Sequence, residues 1–303
     1  MTSQTAPNPE NLSAAQRWWL GIRPRTLPAA MAPVLVGAAL AFADGFFRPL
    51  AALAALLGAL FIQIGTNLVN DVADFTRGTD NETRLGPTRV TQAGLLTPRA
   101  VWSGAILAFL LAALAGVYLI FVGGWPLLVI GLLSILAGFA YTAGPFPLAY
   151  NGLGDLFVFI FFGLVAVGGT TYAASGSLPP TVWPAGAAVG ALIVNILVVN
   201  NIRDLETDRA GGRTNIAVRF GRRVAEAEYA FMLALAFAAP MLLVTQRQAS
   251  PWALLVFLAL PQALGLLRTL RDGLAGPPLN AVLGQTAQLA LRYSVLLAVG
   301  LIL

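Results

Sequence analysis

Asn67-Leu-Val-Asn-Asp-Val-Ala-Asp-Phe-Thr-Arg-Gly-Thr-Asp80 begins as the polar end of an apolar run and finishes as a charged, glycine-broken loop. Asn67 and Asp71 are four residues apart, and Asp71 and Asp74 three, so a helix continued through them carries all three on one face. The device returns as Asn200-Asn-Ile-Arg-Asp-Leu-Glu-Thr-Asp208, where Asn200, Asp204 and Asp208 are spaced by four and four. Each carboxylate pair closes a long apolar run. The reading of these two ends decides the fold.

The runs themselves place the chain in a bilayer. Of 303 residues, 58% are hydrophobic and 10% charged, against about 25% charged in an ordinary soluble domain. Windows free of charge cover 26–43, 49–70, 100–154, 156–202, 229–246, 248–267 and 273–291. A crossing needs about 20 apolar residues, so 100–154 and 156–202 each fold back as two spans. The expectation is an all-α polytopic membrane protein of nine spans, the last running through Arg292 to the C-terminus. Residues 1–16, polar and holding Pro7 and Pro9, read as a disordered cytoplasmic tail before one transmembrane domain over 17–303. No cleavable signal is read in the N-terminal region.

Arginine placement sets an expected orientation. The N-terminal region and the connections after even-numbered spans carry fifteen of the 18 arginines, and the opposite connections carry Arg48 and Arg247. Both motifs and the N-terminus are then cytoplasmic and the C-terminus outside, in the cell membrane. The motifs recur four spans apart, and an even offset puts both on the same membrane face. An inverted repeat, as in many transporters, puts them on opposite faces.

Absences narrow the chemistry. The chain has no Cys, no His and no Lys, which excludes thiolate, imidazole and Schiff-base catalysis and most zinc sites. Carboxylates, Arg, Asn, hydroxyls and backbone remain, a set suited to a hard oxygen-seeking cation such as Mg²⁺. The net charge of +5 is a topology signal and points to no nucleic-acid partner; protein partners are not indicated. Seven of the thirteen acidic residues (Asp71, Asp74, Asp80, Glu82, Asp204, Glu206 and Asp208) fall in the two motifs or directly after them, and several Arg follow each pair. Carboxylates facing one another across a bundle can hold Mg²⁺ with open positions for phosphate oxygens, and Arg can clamp the same oxygens. An apolar bundle beside them shields an alkyl cation from water. The plain alternatives are a solvated helix end for the aspartates and topology charges for the arginines.

At these residues the sequence resembles the UbiA superfamily of membrane prenyltransferases. The resembling pieces are Arg23-Pro-Arg-Thr-Leu-Pro28, Asn70 to Asp80, Arg84-Leu-Gly-Pro-Thr-Arg89, Tyr141-Thr-Ala-Gly-Pro-Phe-Pro147, Gly152-Leu-Gly-Asp155, Asn200 to Arg209 and Gly212 to Gly221. Many members place a further Asp four after Asp74; here Gly78 stands there and Asp80 two later, an arrangement resembling the branch that prenylates 1,4-dihydroxy-2-naphthoate in menaquinone or phylloquinone biosynthesis. The resemblance implies that Asp71, Asp74, Asp204 and Asp208 bind Mg²⁺, supported by Asn67, Asn70 and Asn200. It makes Arg77, Arg84, Arg89, Arg203, Arg209 and Arg213 diphosphate candidates, and Arg23, Tyr141 and Asp155 candidates for the aromatic acceptor. Asp155 has a capping role as its alternative. Arg292 reads as a structural partner or a tail-chamber residue. The implied substrates are a polyprenyl diphosphate and the naphthoate. Other acceptors (4-hydroxybenzoate, homogentisate) and, from a different class, an anion transporter are the competing readings.

Overall fold

The computed structural model describes residues 12–78 and 85–303. Every apolar run is helical. A short helix α1 (Ala14–Ile22) is capped by Ser13, whose hydroxyl accepts from the Gln16 amide while the Gln16 side chain accepts from the Ser13 amide. Ala14, Ala15 and Gln16 are therefore helical, although they fall in the expected tail; residues 1–11 of that tail lie outside the described residues. Arg23 then takes a left-handed backbone (φ 56°) and a single 3₁₀ turn leads into α2 (Leu27–Ala43).

The chain continues through α3 (Pro49–Thr76), α4 (Pro98–Gly123), α5 (Trp125–Ala140), α6 (Gly154–Ser175) and α7 (Val182–Arg203). Two short helices, α8 (Leu205–Ala210) and α9 (Ile216–Phe220), precede α10 (Arg222–Thr245), α11 (Pro251–Arg271) and α12 (Leu279–Ile302). Among the described residues, eight segments are long and apolar enough to cross a membrane, with α1 and α2 taken together. The ninth expected span is α5, whose 16 residues reach only about 24 Å. The turn that follows, with Gly144 at φ 84° and prolines at 145 and 147, stops it early.

The two halves repeat. The most extensive contact of α3 is with α4, and that of α7 is with α10, each motif helix packing on the next long helix. Further contacts of α2 with α6 and α12, and of α6 with α7, close the bundle. α6 and α7 meet through glycine: a Cβ on Gly163 would lie 2.7 Å from the Gly186 carbonyl oxygen and 2.9 Å from Gly190 Cα. The same stretch of α6, Phe159–Val165, is π-helical, a local widening that lets the backbones approach. The chain is an all-α integral membrane protein.

A central cavity of about 370 Å³ is lined from α2, α3, α5, α6, α7 and α12 and from the loops on the motif side. No lining residue comes from α4, α10 or α11, which stand behind it. Tyr229, Leu233 and Phe237 of α10 and Tyr293 and Leu297 of α12 fill the core of the second half. Leu68, Val69 and Val72 of α3 pack with Val101 and Ala105 of α4 in the first.

Candidate functional site

The motif side of the cavity collects polar groups from both halves. α3 continues through Asp71 and Asp74 to Thr76, and Gly78, left-handed at φ 72°, follows its end. The second motif is built differently: α7 ends at Arg203, Asp204 stands at the break, and Asp208 lies in α8. A helical face carries the first motif; a broken helix carries the second.

Asp74 and Asp71 have different surroundings. Asp74 is buried and lines the cavity. Its Oδ2 accepts from Arg89 Nη2 at 3.0 Å, its Oδ1 accepts from the Tyr150 hydroxyl at 2.8 Å, and Arg213 Nη2 lies 2.9 Å from the same Oδ1 in an ion pair. Asp71 is fully buried and is absent from the cavity wall. Its oxygens accept from the backbone amides of Val90 (3.1 Å) and Thr91 (2.9 Å), and Arg23 Nη2 lies 3.4 Å away. Asp71 thus holds the returning loop against α3, apart from the cavity wall that Asp74 lines.

On the other wall, Arg203 donates to both oxygens of Asp204, Nε to Oδ1 at 2.8 Å and Nη2 to Oδ2, and also to Asn200 Oδ1 at 2.7 Å. Asp208 accepts from Asn215 Nδ2 at 3.0 Å and lies 3.6 Å from Arg213 Nη1. One guanidinium, that of Arg213, therefore spans a carboxylate of each motif. Among the described residues, no three acidic side chains are close enough together to hold a metal by themselves. The donor set still suits a hard cation: Asp74, Asp204 and Asp208 share one cavity with Asn70 and Asn200, all oxygen donors. The position between Asp74 and Asp208 already carries positive charge.

Burial sets the electrostatics. It pushes the Asp208 carboxyl up to about 6, with Asp204 adding to the rise and Arg213 and Asn215 opposing it. For Arg213, burial acts to lower the value, but Asp74, Tyr150 and Asp208 outweigh it and hold the guanidinium above its ordinary range. Burial, with Asp155 next, raises the Tyr141 phenol well above the usual tyrosine range, so it stays a neutral donor.

Several expected phosphate ligands are occupied elsewhere. Arg77 is exposed and donates to the carbonyls of Thr142 and Gly144, bracing the turn after α5. Arg209 turns to the surface and pairs with exposed Glu206 at 3.2 Å. Neither is among the residues that line the cavity. The Asn67 amide donates to Ile22 O and Thr26 Oγ1 at 3.0 and 2.8 Å, so although it borders the cavity it ties α3 to the α1–α2 corner. Arg84, with Asp80 and Glu82, lies outside the described residues. Arg89, Arg203 and Arg213 line the cavity, as do Asn70, Asn200, Arg23, Tyr141 and Asp155. Asp155 is buried, and among the described residues its Oδ1 finds no hydrogen-bond partner. Arg292 lies on the exposed face of α12 and not at the cavity, contrary to a tail-chamber role.

Three participants are absent from the motif reading. Tyr150 joins Asp74 to Arg213, Asn215 holds Asp208, and Asn280 of α12 links Arg203 Nη1 (2.8 Å) to the Leu85 carbonyl (2.9 Å). Asn215 also caps α9 by accepting from the Val218 amide; it lies in the Gly212–Gly221 stretch, where nothing singled it out.

The UbiA prenyltransferase family profile matches residues 30–275. The chain belongs to this family. Over 300 residues it is 34% identical to the 1,4-dihydroxy-2-naphthoate octaprenyltransferase of Escherichia coli (strain K12), covering 97% of each chain. It is 37% identical over 290 residues to the enzyme of the same name from Mycobacterium tuberculosis, covering 95% of this chain and 97% of the relative. A UbiA homolog from Archaeoglobus fulgidus, solved bound to DMAPP and Mg²⁺, shares the fold with a TM-score of 0.61 and 18% identity, over 93% of this chain and 99% of that one. As a UbiA prenyltransferase the protein carries both motif halves on one side of one bundle, as the even offset requires.

Proposed function

We propose that this UbiA family member transfers a polyprenyl group from polyprenyl diphosphate to 1,4-dihydroxy-2-naphthoate, releasing CO₂ and diphosphate and yielding a demethylmenaquinol-type or demethylphylloquinol lipid. The observation that carries the reading is the cavity in which Asp74 and Asp208, from opposite motifs, face one guanidinium beneath apolar walls. The naphthoate relatives, similar along nearly their whole length, support the acceptor. The A. fulgidus homolog's bound DMAPP and Mg²⁺ support the donor and the metal.

Asp74, Asp204 and Asp208 would hold Mg²⁺, with Asn70 and Asn200 beside them. When bound, the ion neutralises charge that develops on the leaving diphosphate. Arg89, Arg203 and Arg213 take phosphate oxygens, exchanging a carboxylate partner for a phosphate one. Heterolysis of the C1–O bond leaves its electron pair on diphosphate. Ile62, Phe157, Phe161, Phe162, Ile193 and Leu197 enclose the resulting allylic cation and exclude water.

The acceptor side is the wall of Tyr141 and Asp155. The unpartnered Asp155 oxygen is placed to take the proton of a ring hydroxyl, raising electron density at the ring carbon that bears the carboxylate. That carbon bonds to C1 of the prenyl group. Loss of CO₂ then returns an electron pair to the ring, and the proton goes back to the ring oxygen. Arg23, which also lines the cavity, would take the naphthoate carboxylate. The arginine distribution supports a cytoplasmic site and N-terminus in the cell membrane, with the C-terminus outside.

The test is to incubate purified protein with the naphthoate and a panel of prenyl diphosphates, with and without Mg²⁺. Prenylated quinol and diphosphate in equal amounts, only with the ion, are expected. Preference for 4-hydroxybenzoate or homogentisate would overturn the acceptor assignment alone.

A further inference from the structure

We infer that Tyr150 is a positioning residue of the diphosphate site, setting both the metal-side carboxylate Asp74 and the phosphate-side cation Arg213. This rests on the proposed function. Tyr150 ends the 3₁₀ turn Leu148–Tyr150, in the charge-free connection between α5 and α6. Its hydroxyl donates to Asp74 Oδ1 at 2.8 Å and accepts from Arg213 Nη2 at 2.9 Å, while the same Nη2 lies 2.9 Å from that Asp74 oxygen. The three atoms form a closed triangle. The Arg213 guanidinium carbon also sits 4.4 Å from the centre of the Tyr150 ring.

The backbone repeats the link. The Thr214 amide donates to the Tyr150 carbonyl at 2.9 Å, and Asn151 bridges to Thr214, so the loop carrying Arg213 is anchored to this turn. The Tyr150 side chain thus ties the α5–α6 turn to the first motif through Asp74 and to the 211–215 loop through Arg213. Arg213 must leave Asp74 for a phosphate oxygen when substrate binds. A ring face holds a cation without fixing its direction, so Tyr150 keeps the guanidinium in place through that exchange. The hydroxyl acts differently: it occupies one Asp74 lone pair and weakens the hold of Arg213 on that carboxylate.

The two functions separate by substitution, since Tyr150→Phe keeps the ring and Tyr150→Leu loses it. The full-length protein is purified in lipid nanodiscs, and three quantities are read. These are calorimetric binding of inorganic diphosphate with Mg²⁺, the Mg²⁺ concentration for half-maximal turnover, and KM for the naphthoate. For Tyr150→Phe, diphosphate affinity stays within about twofold while the Mg²⁺ requirement rises about fivefold or more, because Arg213 then competes harder for Asp74. For Tyr150→Leu, diphosphate binding also weakens about tenfold. Naphthoate KM holds in both. Variants indistinguishable from wild type in diphosphate and Mg²⁺ response overturn the assignment. So does a rise in naphthoate KM equal to the other losses, which is the mark of a packing role. Failure of wild type to bind diphosphate at all overturns the proposed function, and this inference with it.

Discussion

Arg213 reaches Asp74 with Nη2 2.9 Å from Oδ1, so a guanidinium from the second half of the chain closes on a carboxylate from the first. The same group lies 3.6 Å from Asp208 through its other terminal nitrogen. Two motifs about 130 residues apart in sequence are thereby one electrostatic unit. A bound cation would take these carboxylates from Arg213, and a phosphate would take Arg213 from the carboxylates.

Replacing Arg213 separates charge from geometry. Arg213→Ala removes a donor that acts on developing phosphate charge, and turnover is expected to fall about 100- to 1,000-fold. Arg213→Lys keeps the charge but not the two-pronged reach and should lose about tenfold. Steady-state kcat with saturating Mg²⁺ measures both. Equal activity in all three proteins would show that Arg213 only neutralises the carboxylates.

Asp71 and Asp74 should fail in different ways. Asp71→Asn leaves one of the Val90 and Thr91 amides without an acceptor, costing about 1–3 kcal/mol of stability. Its folded fraction should keep the wild-type Mg²⁺ response. Asp74→Asn should lose turnover about 1,000-fold, and its folded fraction should also lose the Mg²⁺ response. A thermal melt paired with a Mg²⁺ titration reads the contrast. Loss of the Mg²⁺ response in Asp71→Asn at unchanged stability would place Asp71 among the metal ligands.

Asp208 gives a pH dependence. Its carboxyl is raised to about 6 in the metal-free protein, so below that pH a proton occupies the oxygen that the ion needs. The Mg²⁺ concentration for half-saturation should rise up to about tenfold per pH unit below 6. The stability contribution runs the other way. A raised carboxyl favours the protonated fold, so the metal-free protein gains stability as pH falls from 6 toward the unfolded value of 3.8. Asp208→Asn should flatten both profiles. A Mg²⁺ requirement constant from pH 7 to 5, measured by calorimetry, contradicts the assignment.

Gly163 is expected to be intolerant for backbone reasons. A Cβ there meets the Gly186 carbonyl oxygen and Gly190 Cα, so Gly163→Val must push α6 off α7. A cost of about 3 kcal/mol or more is expected, read as loss of monodisperse protein in detergent. Normal yield and melting would show that the bundle relaxes there.

The periodicity of the chain made much of this legible. Runs of about 20 apolar residues located the helices, and the spacing of Asn67, Asp71 and Asp74 correctly implied a helix continuing past the apolar core. The four-span offset implied a one-sided site, and both motifs do meet at one cavity. What spacing does not give is direction. Residues three apart differ by about 60° around a helix, enough for Asp74 to face the cavity while Asp71 meets the loop at Val90. That loop's return path depends on tertiary contacts such as Leu85 with Asn280, which no local pattern encodes. Tyr150 was hidden for the same reason, lying in a connection with no charge to mark it. For Arg77 and Arg209, a charge near the motif said nothing about which carbonyl or carboxylate it would find.

The most direct test of the central claim is diphosphate release by purified wild-type protein given a prenyl diphosphate and 1,4-dihydroxy-2-naphthoate, followed alongside CO₂. The account requires equal amounts of diphosphate and CO₂, dependence on both substrates, abolition by EDTA with recovery on adding Mg²⁺, and no release by Asp74→Asn. Release that persists in EDTA, or passage of intact anion across a vesicle membrane with no diphosphate formed, would contradict it.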